Sequence, residues 1–467
     1  MTTRRHSQTS LADLWLFGAK IPPPDQLLDP HLRQVDELLH DAELVDTVVE
    51  RMRQRHPQSA GRGRGSTPAE TVLRLLVLKH LRNWSYETLQ WEVTGNLGYR
   101  HFCRIDAGKV PDAKTMVRYG QLLDEVFLRG VLERLVGEAK ARGVTAGRRM
   151  RVDTTVVETP MHFPTDSALC SDVVKVISRE AKKLEEEGAE LPFVRADVRR
   201  SVARRLMEIG QALRRRGDAR KRALKRPYRR LLRVTGRLVR QAAKAIEAVR
   251  AQLKRLRGKR RRQVAQALAR LERILPTAQQ VVRQTRARVL RDVTNSEGKV
   301  LSLFEPHARI LRRGKLHKPT EFGVLVKVQE AEGGLVTDID VVSTTHDSGL
   351  LVSSVERHCE LFGIAPRLVA TDRGFFSGEG VKRIQEMGVH RPVVPHSGHR
   401  SRARIAYERQ RWFKEGRAWR AGGEARISRL KRTFGMARSR YRGEQGMKRA
   451  VYWAAIANNL MAVARAA

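Results

Sequence analysis

Residues 149–157 read RMRVDTTVV, and this stretch decides where the sheet begins. Met150, Val152, Val156 and Val157 stand among β-branched neighbours, a composition that favours a strand because side chains branched at Cβ fit a pleated surface and lose freedom in a helix. Inside the run sits one carboxylate, Asp153. The arrangement returns in PRLVATD, residues 366–372, where Asp372 closes an apolar strand pattern. An acid at a strand end in a mixed sheet is a frequent place for a functional residue. One such aspartate alone reads as readily as a turn or cap; two together weaken that plainer reading.

Working outward, residues 68 to about 140 carry helical signals, with Pro68 at a helix start and Leu73, Val77 and Leu81 in one apolar row. Gly108 and Pro111 mark a loop, and further apolar residues follow at Val117, Leu122 and from Val126 to Leu132. This predicts a compact helical domain over 67–145, preceded by an N-terminal arm, 1–66. Residues 170–292 read as a basic all-helical insertion, with runs such as LKRLRGKRRRQ. Ile246, Val249, Leu253 and Leu256, and then Val264, Leu268, Leu271 and Leu275, recur at intervals of three and four, the pattern of two helices pairing through apolar stripes and turned at Gly258.

Strands are expected again in GKVLSLF (298–304), FGVLVKVQEA (322–331) and LVTDIDVVST (335–344), the last two joined by a Gly333-Gly334 turn. A helix closed by Gly363, the Asp372 strand, a helix at 378–388, a strand RPVVP and a final helical region from about 421 complete the pattern. Hairpins followed by alternating strands and helices indicate a mixed α/β sheet. The mixed α/β domain, the candidate for any chemistry, then comprises 146–169 and 293–467, split by the insertion.

The chain has 467 residues, about three domains at roughly 150 residues each. Its 92 lysines and arginines against 50 acids give a formal charge of +42, which makes nucleic acid the leading partner. Ribosomal, histone-like and polybasic membrane-binding proteins are also basic, so charge names a class of partner and no reaction. The first residues lack the apolar core and cleavage site of a signal peptide, and no uncharged apolar run of about 18 residues occurs. A soluble, cytoplasmic, nucleoid-associated protein with no membrane partner is expected. Cys103, Cys170 and Cys359 are scattered without CxxC spacing, signalling neither a disulfide framework nor a zinc site.

Cutting or joining phosphodiesters requires activation of a water or hydroxyl and neutralisation of the leaving oxygen, and two divalent ions roughly 3.5–4 Å apart can do both. Magnesium binds through a few carboxylates, so two or three acids from separate segments are the minimum equipment. RVDTTVVETPMHFPTDSAL, EFGVLVKV, ATDRGFFSGEGV and EARISRLKRTFGMARSRYRG resemble the insertion-sequence transposases of the DDE type, most closely the group called ISNCY. PAETVLRLLVLKHLRNWSYETLQWEV resembles the helical domain before their catalytic core. The resemblance spans about residues 65 to 465 and implies a ribonuclease-H-like mixed sheet.

For the third acid, Glu415, Glu424 and Glu444 all fall in the right region. Related transposases carry Tyr, Arg, Glu and Lys on one helix, with three residues between Arg and Glu and six between Glu and Lys. Arg420, Glu424 and Lys431 reproduce both intervals, while the tyrosine position holds Arg417 and Gly422-Gly423 weaken the helix. The resemblance implies that Asp153, Asp372 and Glu424 bind two Mg²⁺ (or Mn²⁺) ions, Asp153 bridging both. It further implies water attack at the transposon end and then attack of the freed 3′-hydroxyl on target DNA. Arg373, Arg420, Lys431 and Arg432 are the expected DNA contacts. A homodimer or larger synaptic assembly would process two ends together.

Other residues have plainer readings beside functional ones. Asp347 reads as a helix cap or first-turn acid more readily than as a group near the metals. Trp412 and Trp419 suit core packing or the reception of a flipped base. His307, His317, His396 and His399 lie among cations and suit phosphate contact, as does the basic insertion. A catalytically silent DNA-binding descendant and a host nuclease on the same core are the rival functions.

Overall fold

The computed structural model describes residues 24–55, 67–105, 108–192, 198–294, 297–311, 319–343 and 346–466. They divide into two compact units, one from the described parts of 1–158, 324–441 and 445–467, the other from those of 159–323 and 442–444.

The first unit begins with helices α1 (Pro30–Leu38), α2 (Ala42–Arg55), α3 (Ala69–Leu81), α4 (Tyr86–Gly95), α5 (Leu97–Phe102), α6 (Ala113–Leu122) and α7 (Glu125–Ala141). Local chemistry fixes several starts: the side chains of Asp29, Ser85, Asn96, Asp112 and Asp124 each accept a bond from the backbone N–H three residues on, satisfying a group the helix leaves open. The stretch before residue 67, expected as an arm, carries two packed helices in its described part. Leu32, Val35, Leu44 and Val48 are buried in one core with Leu73, Leu76 and Leu128, because their helical spacing gives α1 and α2 an apolar face. Strand β1 (Arg149–Glu158) follows.

The second unit is built on α8 (Asp166–Glu186), α9 (Arg199–Leu213), α10 (Gly217–Leu253) and α11 (Gly258–Arg291). Val173, Ile177, Leu231, Leu238, Val249, Val264 and Leu271 share its core, so α8 and α9 pack with the helical pair expected around Gly258. GKVLSLF, expected as a strand, is instead a run of turns and bends. Gln284 of α11 accepts from the Val300 N–H at 2.8 Å and donates to its carbonyl at 2.9 Å; one side chain supplies what a neighbouring strand would have. Leu301 and Leu303 are buried all the same. The first strand here is β2 (Arg309–Leu311), paired antiparallel with residues 321–323.

The remaining strands are β3 (Glu321–Ala331), β4 (Leu335–Val342), β5 (Leu368–Ala370) and β6 (Arg391–Val393). β4 pairs antiparallel with β3 through the turn at Gly333 and Gly334, whose φ of +78° and +75° favour glycine. β1 lies between β3 and β5, and β5 and β6 run parallel to it. Helices α12 (Leu351–Phe362) and α13 (Gly378–Glu386) cover Met150, Val152 and Val369 on one face. After α14 (Arg402–Arg409), α15 (Arg411–Arg432) packs Phe413 on Leu368, Ala370 and Val393. In α16 (Gly443–Ala466), Val451, Trp453, Ile456 and Leu460 join Val326, Val336 and Ile339 to the N-terminal helices in a single core.

Candidate active site

β1 and β5 are parallel neighbours, with Arg149, Met150 and Arg151 opposite Leu368, Val369 and Ala370. Two residues past the last pair come Asp153 on one segment and Asp372 on the other, so the register sets both acids at the same level. Asp153 Oδ1 accepts from the Thr154 N–H at 2.7 Å, and its Oδ2 lies 3.5 Å from Arg420 Nη1. The same guanidinium reaches Glu424 Oε1 at 3.2 Å through Nη2. Arg420 therefore joins the first expected acid to the third. Asp153 and Arg420 are about a fifth exposed, whereas Glu424 is 70% exposed. Asp372 Oδ1 accepts from the Gly374 N–H at 2.9 Å and caps the short turn Arg373–Phe375.

The register of α15 on the strand has a cause beneath it. Glu330 of β3, only 3% exposed, accepts from Arg151 Nε at 2.9 Å and Nη2 at 2.7 Å and from Arg426 Nε at 3.1 Å. Arg151 also donates to the Trp419 carbonyl, and its guanidinium lies 4.7 Å from that indole's centre. A Cβ at Gly422 would come within 2.7 Å of Arg151 Nη1. The Gly422-Gly423 pair that reads as a helix weakness is thus the notch into which Arg151 fits, and α15 runs unbroken through it.

Asp347 stands in the first turn of the short helix Asp347–Leu350, as expected, but its carboxylate serves another element. Both its oxygens lie 3.1 Å from Thr154 Oγ1, which donates to them from beside Asp153. A Cβ at Gly374 would lie 3.1 Å from Asp372 Oδ1 and 3.3 Å from Asp347 Oδ2, so the two carboxylates crowd one small space. The acids stand as Asp153 with Glu424 through Arg420, and Asp372 with Asp347 over Gly374. Among the described residues, no three His, Cys, Asp or Glu side chains draw close enough to hold a metal ion.

Arg373 and Arg432 are exposed and Lys431 is half-buried. Trp412 packs edge-on against Tyr407 and Phe413, and Trp419 lies against Arg151, so both rings have packing partners. His396 packs on Phe376 with ring centres 4.2 Å apart, His307 is largely buried near Glu305 with its pKa lowered by burial, and His399 is exposed; the phosphate-contact reading therefore fits His399 best of these. His317 lies outside the described residues. Glu415 pairs with Arg411 on α15 at 2.8 Å, and Glu444 is exposed near the start of α16.

Residues 320–460 match the family model described as a transposase DDE domain, and residues 17–122 match a transposase domain, DUF772. The chain belongs to the insertion-sequence transposases of the DDE type. No curated protein and no solved structure matches it. The DDE match contains Asp347, Asp372 and Glu424, while Asp153 and helices α8–α11 of this transposase fall between the two matched stretches. No described helix is long and apolar enough to cross a membrane.

Proposed function

We propose that this transposase binds the terminal inverted repeats of its element and catalyses metal-dependent strand cleavage and strand transfer on a ribonuclease-H-like core. Asp153, Asp372 and Glu424 are its metal-binding acids. The observation that carries the reading is the shared guanidinium of Arg420, which spans Asp153 and Glu424 while Asp372 follows the adjacent strand at the matching position two residues past its last pair. The donor set fits the group: carboxylate oxygens are the ligands that Mg²⁺ and Mn²⁺ prefer, and two of these acids already hold a cationic side chain between them. Of the three candidates, Glu424 is the one that shares a guanidinium with Asp153, while Glu415 pairs with Arg411, which favours Glu424.

Bound divalent ions would supply activation of the attacking oxygen and neutralisation of the leaving one. The chain's own part is positioning and charge, which dominate in-line phosphoryl displacement. Glu330 and Arg151 fix α15 on the sheet, Arg420 steadies Glu424 toward Asp153, and Thr154 ties Asp347 to the same strand. Arg373, Lys431 and Arg432 contact DNA phosphates. Residues 67–145 assist in end recognition, residues 146–169 and 293–467 form the catalytic domain around the helical insertion, and two copies act together on two ends.

Asp153→Ala, Asp372→Ala and Glu424→Ala each abolish cleavage of a terminal-repeat duplex in Mg²⁺ and leave its binding intact, whereas Glu444→Ala retains cleavage. Full activity in all three acid variants overturns the assignment. Joining of the cleaved end to a second duplex separates a transposase from a nuclease.

A further inference from the structure

Helix α10 is 37 residues long. Tyr228, Leu231, Leu232, Leu238, Val239 and Ile246 on one side are buried in the core of the helical unit. On the other side Arg222, Arg226, Arg229, Arg233, Arg237, Arg240 and Lys244 are all exposed. Steps of three and four residues keep them on one stripe, which runs about 33 Å at 1.5 Å per residue. That is close to one turn of duplex DNA, about 34–36 Å.

The regular spacing of this stripe and the lack of acids within it set it apart. The only acids of α10 are Asp218 and Glu247, beyond either end of it. Elsewhere in the unit several arginines do have acids, Arg250 with Glu272, Arg270 with Glu180 and Arg288 with Asp166. A cleft of about 560 Å³ opens between α9 and α10, lined by Arg204, Arg205, Glu208, Arg230 and Arg233. Glu208 is shared between Arg205 at 2.9 Å and Arg230 at 3.8 Å, so one acid faces four guanidinium groups. Arg205 Nε is buried with no hydrogen-bond partner among the described residues. A helix that lines up like charges at neighbouring positions is weakened by them, and a polyanion with regularly spaced charges removes that repulsion.

We infer that the α10 stripe and the adjoining cleft form a DNA-binding surface that grips the sugar-phosphate backbone of a duplex over about one turn without reading its sequence. The inference rests on the transposase acting on DNA and is independent of which acids do the chemistry. Arginine suits the role because its fork matches phosphate oxygens and it stays charged at any working pH.

The test compares full-length protein with the variant Arg229→Gln/Arg233→Gln/Arg237→Gln/Arg240→Gln, measuring affinity for a terminal-repeat duplex and a scrambled duplex of equal length across a salt series. Each phosphate contact contributes about 0.9 to the slope of log affinity against log salt, so the slope becomes shallower by about 3 to 4, equally on both duplexes. Arg250→Gln/Lys182→Gln, which removes paired cations, keeps the parent slope. An unchanged slope in the quadruple variant overturns the inference, as does a loss confined to the terminal repeat or tighter use of the same residues on duplex RNA. Single Gln substitutions, each lowering the slope by about 0.9, carry the test if the quadruple variant does not fold. Asp153→Ala keeps the parent slope, so a failed active-site assignment and a failed stripe give different results.

Discussion

The sheet-bearing unit of this transposase and the outer stripe of α10 use arginine in opposite ways. In the sheet-bearing unit guanidinium groups are spent on acids of the same chain: Arg151 and Arg426 on Glu330, Arg404 on Glu408, Arg74 on Asp36 and Glu70, and Arg420 on Asp153 and Glu424. Along α10 they point outward, and no acid lies between Asp218 and Glu247. Paired cations fix where helices lie on strands, while unpaired ones leave a surface that only another molecule can neutralise. The +42 formal charge therefore describes two different materials.

The sharpest way to break this contrast is at Asp153, where an internal pair and the proposed chemistry coincide. Asp153→Asn should reduce cleavage by about 10³-fold or more, in the range found when a central catalytic group is removed, while urea unfolding shifts little; a large stability loss with modest loss of rate would make Asp153 a structural partner of Arg420. Next comes Glu330→Gln, which leaves Arg151 and Arg426 without their carboxylate. Breaking a buried pair typically costs about 3–5 kcal/mol, read as a lower denaturation midpoint, and an unchanged midpoint would show that the network does not hold α15.

Lys79 is a third kind of charge, buried with no carboxylate bonded to it among the described residues: it donates to Tyr441 Oη at 3.0 Å and lies 4.6 Å from the Tyr86 ring centre. Burial foremost, and then Arg440, lower its pKa from 10.5 to about 8. Between those values the unfolded chain takes up a proton that the folded chain refuses, so its contribution to stability falls as pH drops from 10.5 to about 8 and is level below that. Lys79→Met should flatten this window by up to roughly 3 kcal/mol, measured by unfolding at a series of pH values. The smallest effect is expected for Asp347→Asn. Loss of a group that orients a metal-binding neighbour commonly lowers activity about 10- to 100-fold, and rescue by Asp347→Glu would mark the carboxylate, rather than the fold, as what matters.

What the sequence makes legible follows from how locally each feature is determined. β1 is readable because β-branched residues surround Asp153, and the β3–β4 hairpin because Gly333 and Gly334 must take positive φ. The arginine-to-glutamate interval that singles out Glu424 is also local, being one turn of α15. The strand expected in GKVLSLF fails because its partner is a single distant side chain, Gln284, which no alternation pattern records. Asp347 reads as a cap because its proton donor, Thr154, lies 193 residues away. Gly422 and Gly423 read as defects until Arg151, from another strand, fills the space they leave. Local pattern and family spacing propose the acids; only tertiary contact shows what surrounds them.

The contact between Arg420 and Asp153 spans 267 residues, and this separation imposes an order on the molecule's synthesis. Helices α8–α11 are complete in the growing chain well before residue 420 leaves the ribosome, and helical contacts close in sequence form early and fast. The proposed grip on DNA is thus available to a nascent chain before its set of acids exists. On the proposed reading, a chain still being made would hold DNA before it could cut it.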